Sequence, residues 1–137
     1  MVVDTSALLA ILFEERHGPW CAEQMAEAAG GDVVMSTVNL AETLILVADR
    51  RPGALRAVEE QVVSSGAIRF VPPDAAQAQA AAAARLRFPL NLGDCFAYAL
   101  AVAEDAPILT LDRDFLATGH ALLIPKPFPR RPRPRRP

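Results

Sequence analysis

Four carboxylates stand where an apolar run ends or a helical pattern begins, and they define the chemistry open to this chain. Asp4 closes Met1-Val2-Val3, and Glu42 lies in Asn39-Leu40-Ala41-Glu42-Thr43, just after a second apolar run. Asp94 follows Leu92-Gly93, and Asp112 closes Ile108-Leu109-Thr110-Leu111. An oxygen-only donor set suits a hard dication, Mg²⁺ or Mn²⁺, which takes few carboxylates and retains waters. Carboxylates packed together raise one another's pKa unless a cation neutralises them. Such a cluster suits phosphodiester hydrolysis, where a metal activates water and stabilises charge on the phosphate. Nothing resembles a zinc site, since His17 and His120 are isolated. Cys21 and Cys95 lack metal-ligand or disulfide spacing and read as reduced, buried thiols of a cytoplasmic protein.

Each acid also has a local role open to it. Glu42 stands three residues after Asn39, the spacing of a capping box. Asp94 can complement the dipole of its own helix. In Leu111-Asp112-Arg113-Asp114-Phe115, Asp114 is expected to cap the short turn containing Phe115, which leaves Asp112 to the site. A shared role requires a fold that brings the acids to one edge.

The pattern of elements supplies that fold. Residues 1–3 read as a buried strand, and Thr5 to Phe13 as a helix with Ala7, Leu8, Ile11 and Leu12 facing the core. Gly18-Pro19 opens a helix to about Ala29, ended by Gly30-Gly31, and Asp32 to Thr37 reads as a second strand. A helix from Val38 stops before Pro52, and Ala54 to Ser65 forms another, closed by Gly66. Ile68 to Val71 is a strand, and Asp74 caps an alanine-rich helix to about Arg87. A helix from Asp94 to Glu104 and strands at Pro107–Leu111 and Ala121–Ile124 complete the set. Strands alternating with helices predict an α/β fold, a five-stranded parallel sheet covered on both faces in three α/β/α layers. Parallel strands place their carboxyl ends on one edge, where open sheets of this kind bind ligands.

Composition limits the alternatives. The chain is 137 residues long, the size of one domain, and no run approaches the roughly 20 apolar residues of a membrane span. No basic segment precedes the first apolar run, so a secretory signal is not expected and no membrane role follows. Residues 1–125 hold eight basic against sixteen acidic side chains, a balance of −8, and the remainder carries +6. The boundary separates a folded body, 1–124, from a Pro/Arg-rich tail, 125–137. With six prolines and six basic residues, the tail is expected to be extended and disordered.

Four segments carry a family resemblance. Val3-Asp4-Thr5-Ser6-Ala7-Leu8, Asn39-Leu40-Ala41-Glu42-Thr43, Leu90-Asn91-Leu92-Gly93-Asp94-Cys95-Phe96-Ala97-Tyr98-Ala99-Leu100-Ala101 and Leu109-Thr110-Leu111-Asp112-Arg113-Asp114-Phe115 resemble the motifs of PIN-domain ribonucleases, and more closely those of VapC toxins from VapBC toxin–antitoxin modules. The resemblance spans residues 1 to about 124. It implies a Mg²⁺-dependent endoribonuclease, Mn²⁺ being the alternative ion, with Asp4, Glu42, Asp94 and Asp112 as catalytic acids and metal ligands. Thr5, Ser6 and Thr110 are then the polar support. It also implies a homodimer inhibited by a VapB-type antitoxin. Arg85, Arg87 and Arg113, close to the motifs, and Arg130 and Arg131 in the tail are the candidate contacts to RNA. The segment before Asn91 is shorter than the basic loop of many relatives, and the tail lies outside the family pattern. Receiver domains and haloacid-dehalogenase-like phosphatases also place an aspartate after their first strand, but they need a lysine at the site. Lys126 is the only lysine. The remaining alternative is a non-catalytic PIN-like module that binds protein or RNA.

Overall fold

The computed structural model describes residues 1–28 and 32–128. The expected helix end at Gly30-Gly31, and Arg130 and Arg131 of the tail, lie outside these residues. Five parallel strands form one sheet: β1 (Val2–Val3), β2 (Val34–Ser36), β3 (Arg69–Val71), β4 (Ile108–Leu109) and β5 (Leu122–Leu123), in the order β3-β2-β1-β4-β5. The chain runs outward from β1 through β2 to β3, then returns to build β4 and β5 on the other side of β1. The reversal lies between β1 and β4, the position at which doubly wound sheets open a ligand crevice.

Strand alternation builds the three layers. Val2, Val34 and Ile108 pack with Ala81 and Ala84 of α5 (Ala75–Arg87) and with Cys95, Ala99 and Leu100 of α6 (Leu92–Glu104). The intervening Val3, Met35 and Leu109 join Leu8 and Leu9 of α1 (Thr5–Leu12), Cys21 of α2 (Gly18–Glu27) and Val47 of α3 (Thr37–Arg50). A period of two therefore sends neighbouring apolar residues to opposite faces. Both cysteines are buried, as the sequence implies.

The strands are shorter than the apolar runs from which they are read. Thr37 is the first residue of α3 rather than the end of β2, because the Ser36 hydroxyl accepts from the Val38 amide at 3.3 Å and starts the helix. The expected single helix over 54–65 is a stretch of three pitches: a 3₁₀ turn at Pro52–Ala54, α4 (Leu55–Val58) and a π turn at Glu59–Val63. Val58 and Val62 stay buried through the change. Pro52 occupies the first turn, where a missing N–H removes no helical bond.

Candidate active site

Each acid reaches the carboxyl edge by a different local device. Asp4 is the first residue past β1, with extended backbone, and the chain enters α1 at Thr5. Its carboxylate is 2% exposed. Ser6 Oγ donates to Asp4 Oδ2 at 2.7 Å and Thr110 Oγ1 donates to the same oxygen at 2.9 Å. The Leu111 amide donates to Ser6 Oγ at 3.0 Å, and the Asp112 amide to Thr110 Oγ1 at 2.9 Å. Two hydroxyls thus relay the exit of β4 onto the end of β1 and fix Asp4 beside the segment that carries Asp112. Thr5 turns elsewhere, its Oγ1 accepting from Asn39 Nδ2 at 3.2 Å.

Asp94 lies in the first turn of α6, capped by Asn91. The Asn91 side chain accepts from the Asp94 amide at 2.9 Å, and Asp94 Oδ2 accepts from the Asn91 amide at 3.2 Å. This is the capping box. The pair Asn39/Glu42, for which that spacing left the same role open, does not form one: Asn39 is inside α3, whose cap is Ser36. Glu42, freed of capping, sits half-buried against α6. A Cβ placed on Gly93 would stand 2.6 and 2.7 Å from its two carboxylate oxygens. Glycine at 93 therefore leaves the space that Glu42 occupies.

In the last motif the cap falls to the other acid. Asp112, not Asp114, is the cap: its Oδ1 accepts from the Asp114 amide at 2.9 Å and opens the 3₁₀ turn Arg113–Thr118. The turn begins at Arg113, two residues earlier than a cap at Asp114 would start it, and Asp114 falls in its first turn. Carboxylate oxygens of Asp94, Asp112 and Asp114 lie within 4.8 Å of one another.

The electrostatics match this crowding. Burial first, and then the charges of Asp4, Asp112 and Glu42, push the Asp94 carboxyl up to about 7 against the hydrogen bond from Asn91. Burial likewise pushes Asp4 up to about 6, with Asp112 and Glu42 adding to the rise and the Ser6 and Thr110 hydroxyls opposing it. Asp4, Glu42, Asp94 and Asp112 are therefore close enough to feel one another, as their positions in the sequence imply. A dication resolves the repulsion, and oxygen donors are the set that Mg²⁺ or Mn²⁺ takes. The residues fit such an ion.

The PIN-domain family model matches residues 1–121. This chain belongs to the PIN-domain family. Among relatives of this PIN domain, a protein named Ribonuclease VapC from Mycolicibacterium smegmatis is 38% identical over 132 residues, covering 88% of this chain and 98% of the relative. Ribonuclease VapC30 of Mycobacterium tuberculosis is 36% identical over 132 residues, with 88% and 96% covered. Among solved structures, Mycobacterium tuberculosis VapC20, described as a sarcin-ricin loop cleaving toxin, superposes with a TM-score of 0.74 at 24% identity, covering 90% of this chain and 98% of that one. VapBC2 from Rickettsia felis, bound to a DNA fragment from its promoter, gives 0.71 at 15% identity, with 89% and 96% covered. The PIN domain here thus has VapC ribonucleases as its relatives and their fold as its own.

Of the candidate RNA contacts, Arg87 lies over the Phe88 ring at 5.0 Å and Arg113 over the Phe128 ring at 5.1 Å. Arg85 is exposed on the last turn of α5. Two residues of the site escape a reading of acids alone. Gly93 is a glycine inside a helix start. Asn39 is a polar residue buried on an otherwise apolar stripe with Thr43.

Proposed function

We propose that this protein is a Mg²⁺-dependent endoribonuclease toxin, with Mn²⁺ as the substitute ion. Asp4, Glu42, Asp94 and Asp112 hold the metal, and Asp114 joins them. The observation that carries this reading is the cluster of Asp94, Asp112 and Asp114 carboxylates, with Asp4 and Glu42 near enough to help raise Asp94 to about 7. When bound, the ion supplies positive charge against the phosphate and acidity for the attacking water. Ser6 and Thr110 hold Asp4 in one orientation. Asn91 holds Asp94. Arg85 and Arg87, at the end of α5, and Arg113, in the turn after β4, bind phosphates on either side of the scissile bond. Arg130 and Arg131 extend that contact along the RNA, in a tail separate from the 1–124 body.

A cytoplasmic RNA substrate and a VapB-type antitoxin complete the proposal. The −8 balance of residues 1–125 favours a basic antitoxin segment. Leu92, 71% exposed, borders an apolar groove of about 250 Å³ with Ala78, Ala82 and Phe96 between α5 and α6, and supports a protein partner. A homodimer accounts for other exposed apolar side chains such as Ile45 and Val102. No helix among the described residues is long and apolar enough to cross a membrane. The test is cleavage of total RNA by purified protein with Mg²⁺, with Mn²⁺ and with EDTA, beside Asp94→Asn. Cleavage that needs the metal and is lost in the variant is expected. Metal binding without cleavage of any RNA would return the chain to a non-catalytic binding module.

A further inference from the structure

The acids sit on separate elements that repel one another, yet three of those elements meet at one uncharged side chain. Asn39 is wholly buried in α3, three residues before Glu42. Its Nδ2 donates to Thr5 Oγ1 at 3.2 Å and to the Gly93 carbonyl at 3.0 Å. Thr5 adjoins Asp4, and Gly93 adjoins Asp94. The Thr5 hydroxyl returns a bond to the Asn39 carbonyl at 3.4 Å, which Thr43 Oγ1 also reaches at 2.8 Å. We propose that Asn39 is a positioning residue of the acidic centre, its amide clasping the segments that carry Asp4 and Asp94 to the helix that carries Glu42.

The amide is retained for its donors. Both Nδ2 hydrogens are committed, whereas Oδ1 is buried with no hydrogen-bond partner among the described residues. A buried carbonyl without a partner is unfavourable, so the side chain is kept for the two bonds its amide donates to Thr5 and Gly93. Exchanging oxygen and nitrogen would set two carbonyl oxygens 3.0 Å apart at Gly93, so the orientation is determined. Ser6 and Thr110 tie Asp4 to the Asp112 segment; Asn39 ties it to Glu42 and Asp94. Removing the clasp leaves every ligand present but lets like charges separate.

The inference rests on the metal-centre reading, and its test has two arms that fail separately. Asn39→Leu, Thr5→Val and, as control, Thr43→Val are compared with wild type for Mn²⁺ affinity by calorimetry. Hydrogen exchange of amides 94–97 is followed in the metal-free state. Asn39→Leu is expected to lose roughly tenfold or more in Mn²⁺ affinity, the range for residues that orient ligands, and to exchange faster at the start of α6. Thr5→Val, which removes one of the two acceptors, is expected to fall between, and carries the test if Asn39→Leu does not fold. Thr43→Val removes a neighbouring buried bond in α3 alone, and is expected to lower thermal stability with Mn²⁺ affinity unchanged. Wild-type affinity and exchange in folded Asn39→Leu or Thr5→Val would overturn the proposal, and so would an equal affinity loss in Thr43→Val. If wild type binds no Mn²⁺, the metal reading falls, and accelerated exchange confined to Asn39→Leu and Thr5→Val still upholds the clasp.

Discussion

Asp94→Asn should stabilise the metal-free protein while disabling it. The Asp94 carboxyl rises from its ordinary 3.8 to about 7 in the folded chain. A carboxyl raised on folding favours the folded state fully below the unfolded pKa, and that contribution is lost as pH climbs through the folded value. Between about pH 4 and pH 7 the penalty grows by 1.36 kcal/mol per unit, to about 4 kcal/mol by pH 8. Asp4, Asp112 and Glu42 share the repulsion, so this is the upper figure. Asparagine cannot ionise, and its side-chain oxygen still accepts from the Asn91 amide, so the capping box survives. In EDTA the variant is expected to exceed wild type by roughly 2–4 kcal/mol at pH 8, with the gap closing towards pH 5. Mg²⁺ at a hundred times its Kd should then raise wild type by about 2.7 kcal/mol and the variant much less. Urea denaturation at both pH values, with EDTA or Mg²⁺, measures all four quantities. A variant no more stable than wild type at pH 8 in EDTA would refute the claim that Asp94 is forced to ionise against its surroundings.

Other outcomes follow from the same geometry. Gly93→Ala puts a methyl where Glu42 lies, so Mn²⁺ affinity by calorimetry should fall roughly tenfold while the melting temperature holds or rises, alanine being the better helix former by about 0.5–1 kcal/mol. Asp112→Ala should lose both metal affinity and about 1 kcal/mol of stability as a cap, and Asp114→Ala should lose metal affinity; melting of the first and titration of both check this. Thr110→Val removes a donor that favours ionised Asp4, so the Asp4 pKa should rise above about 6 and carry the acid limb of the cleavage profile upward, as read by a pH–rate series. Deleting 126–137 should flatten the salt dependence of RNA binding by about 0.7 per lost phosphate contact, measured in an Asp94→Asn background.

The sheet was legible because its strands are apolar runs that end in sharp chemical punctuation. Met1-Val2-Val3-Asp4 and Ile108-Leu109-Thr110 each announce a buried strand and the edge where it stops. Parallel topology gathers Asp4, Glu42 and Asp112 on that edge, and Asp94 joins only if its helix starts there. What stayed hidden depends on where backbone turns begin, to within one residue. Asn39 looks like a helix cap until Ser36 is seen to hold that place, three residues earlier. Asp112 takes the cap expected of Asp114 because the turn starts two residues earlier than that cap would place it. The space at Gly93 belongs to Glu42, 51 positions away, and no local pattern carries such a contact. Local rules identify the acids; long-range packing decides which of them point together.

That packing also explains how a metal-free centre persists. Among the described residues, the ion pairs join Arg56 with Glu60 and Arg69 with Asp32 and Glu104, and none involves Asp4, Glu42 or Asp94. Those three are held instead by neutral contacts: hydroxyls on Asp4, the capping amide on Asp94 and the glycine space for Glu42. An arginine in their place would neutralise the charge and compete with a dication for the same oxygens. Neutral donors orient Asp4 and Asp94 and leave their repulsion standing, so the free energy released on neutralising it goes to whichever cation arrives. Metal affinity and apo-state strain are then one quantity seen from two sides, and any variant that relieves the strain without a metal should bind metal less tightly.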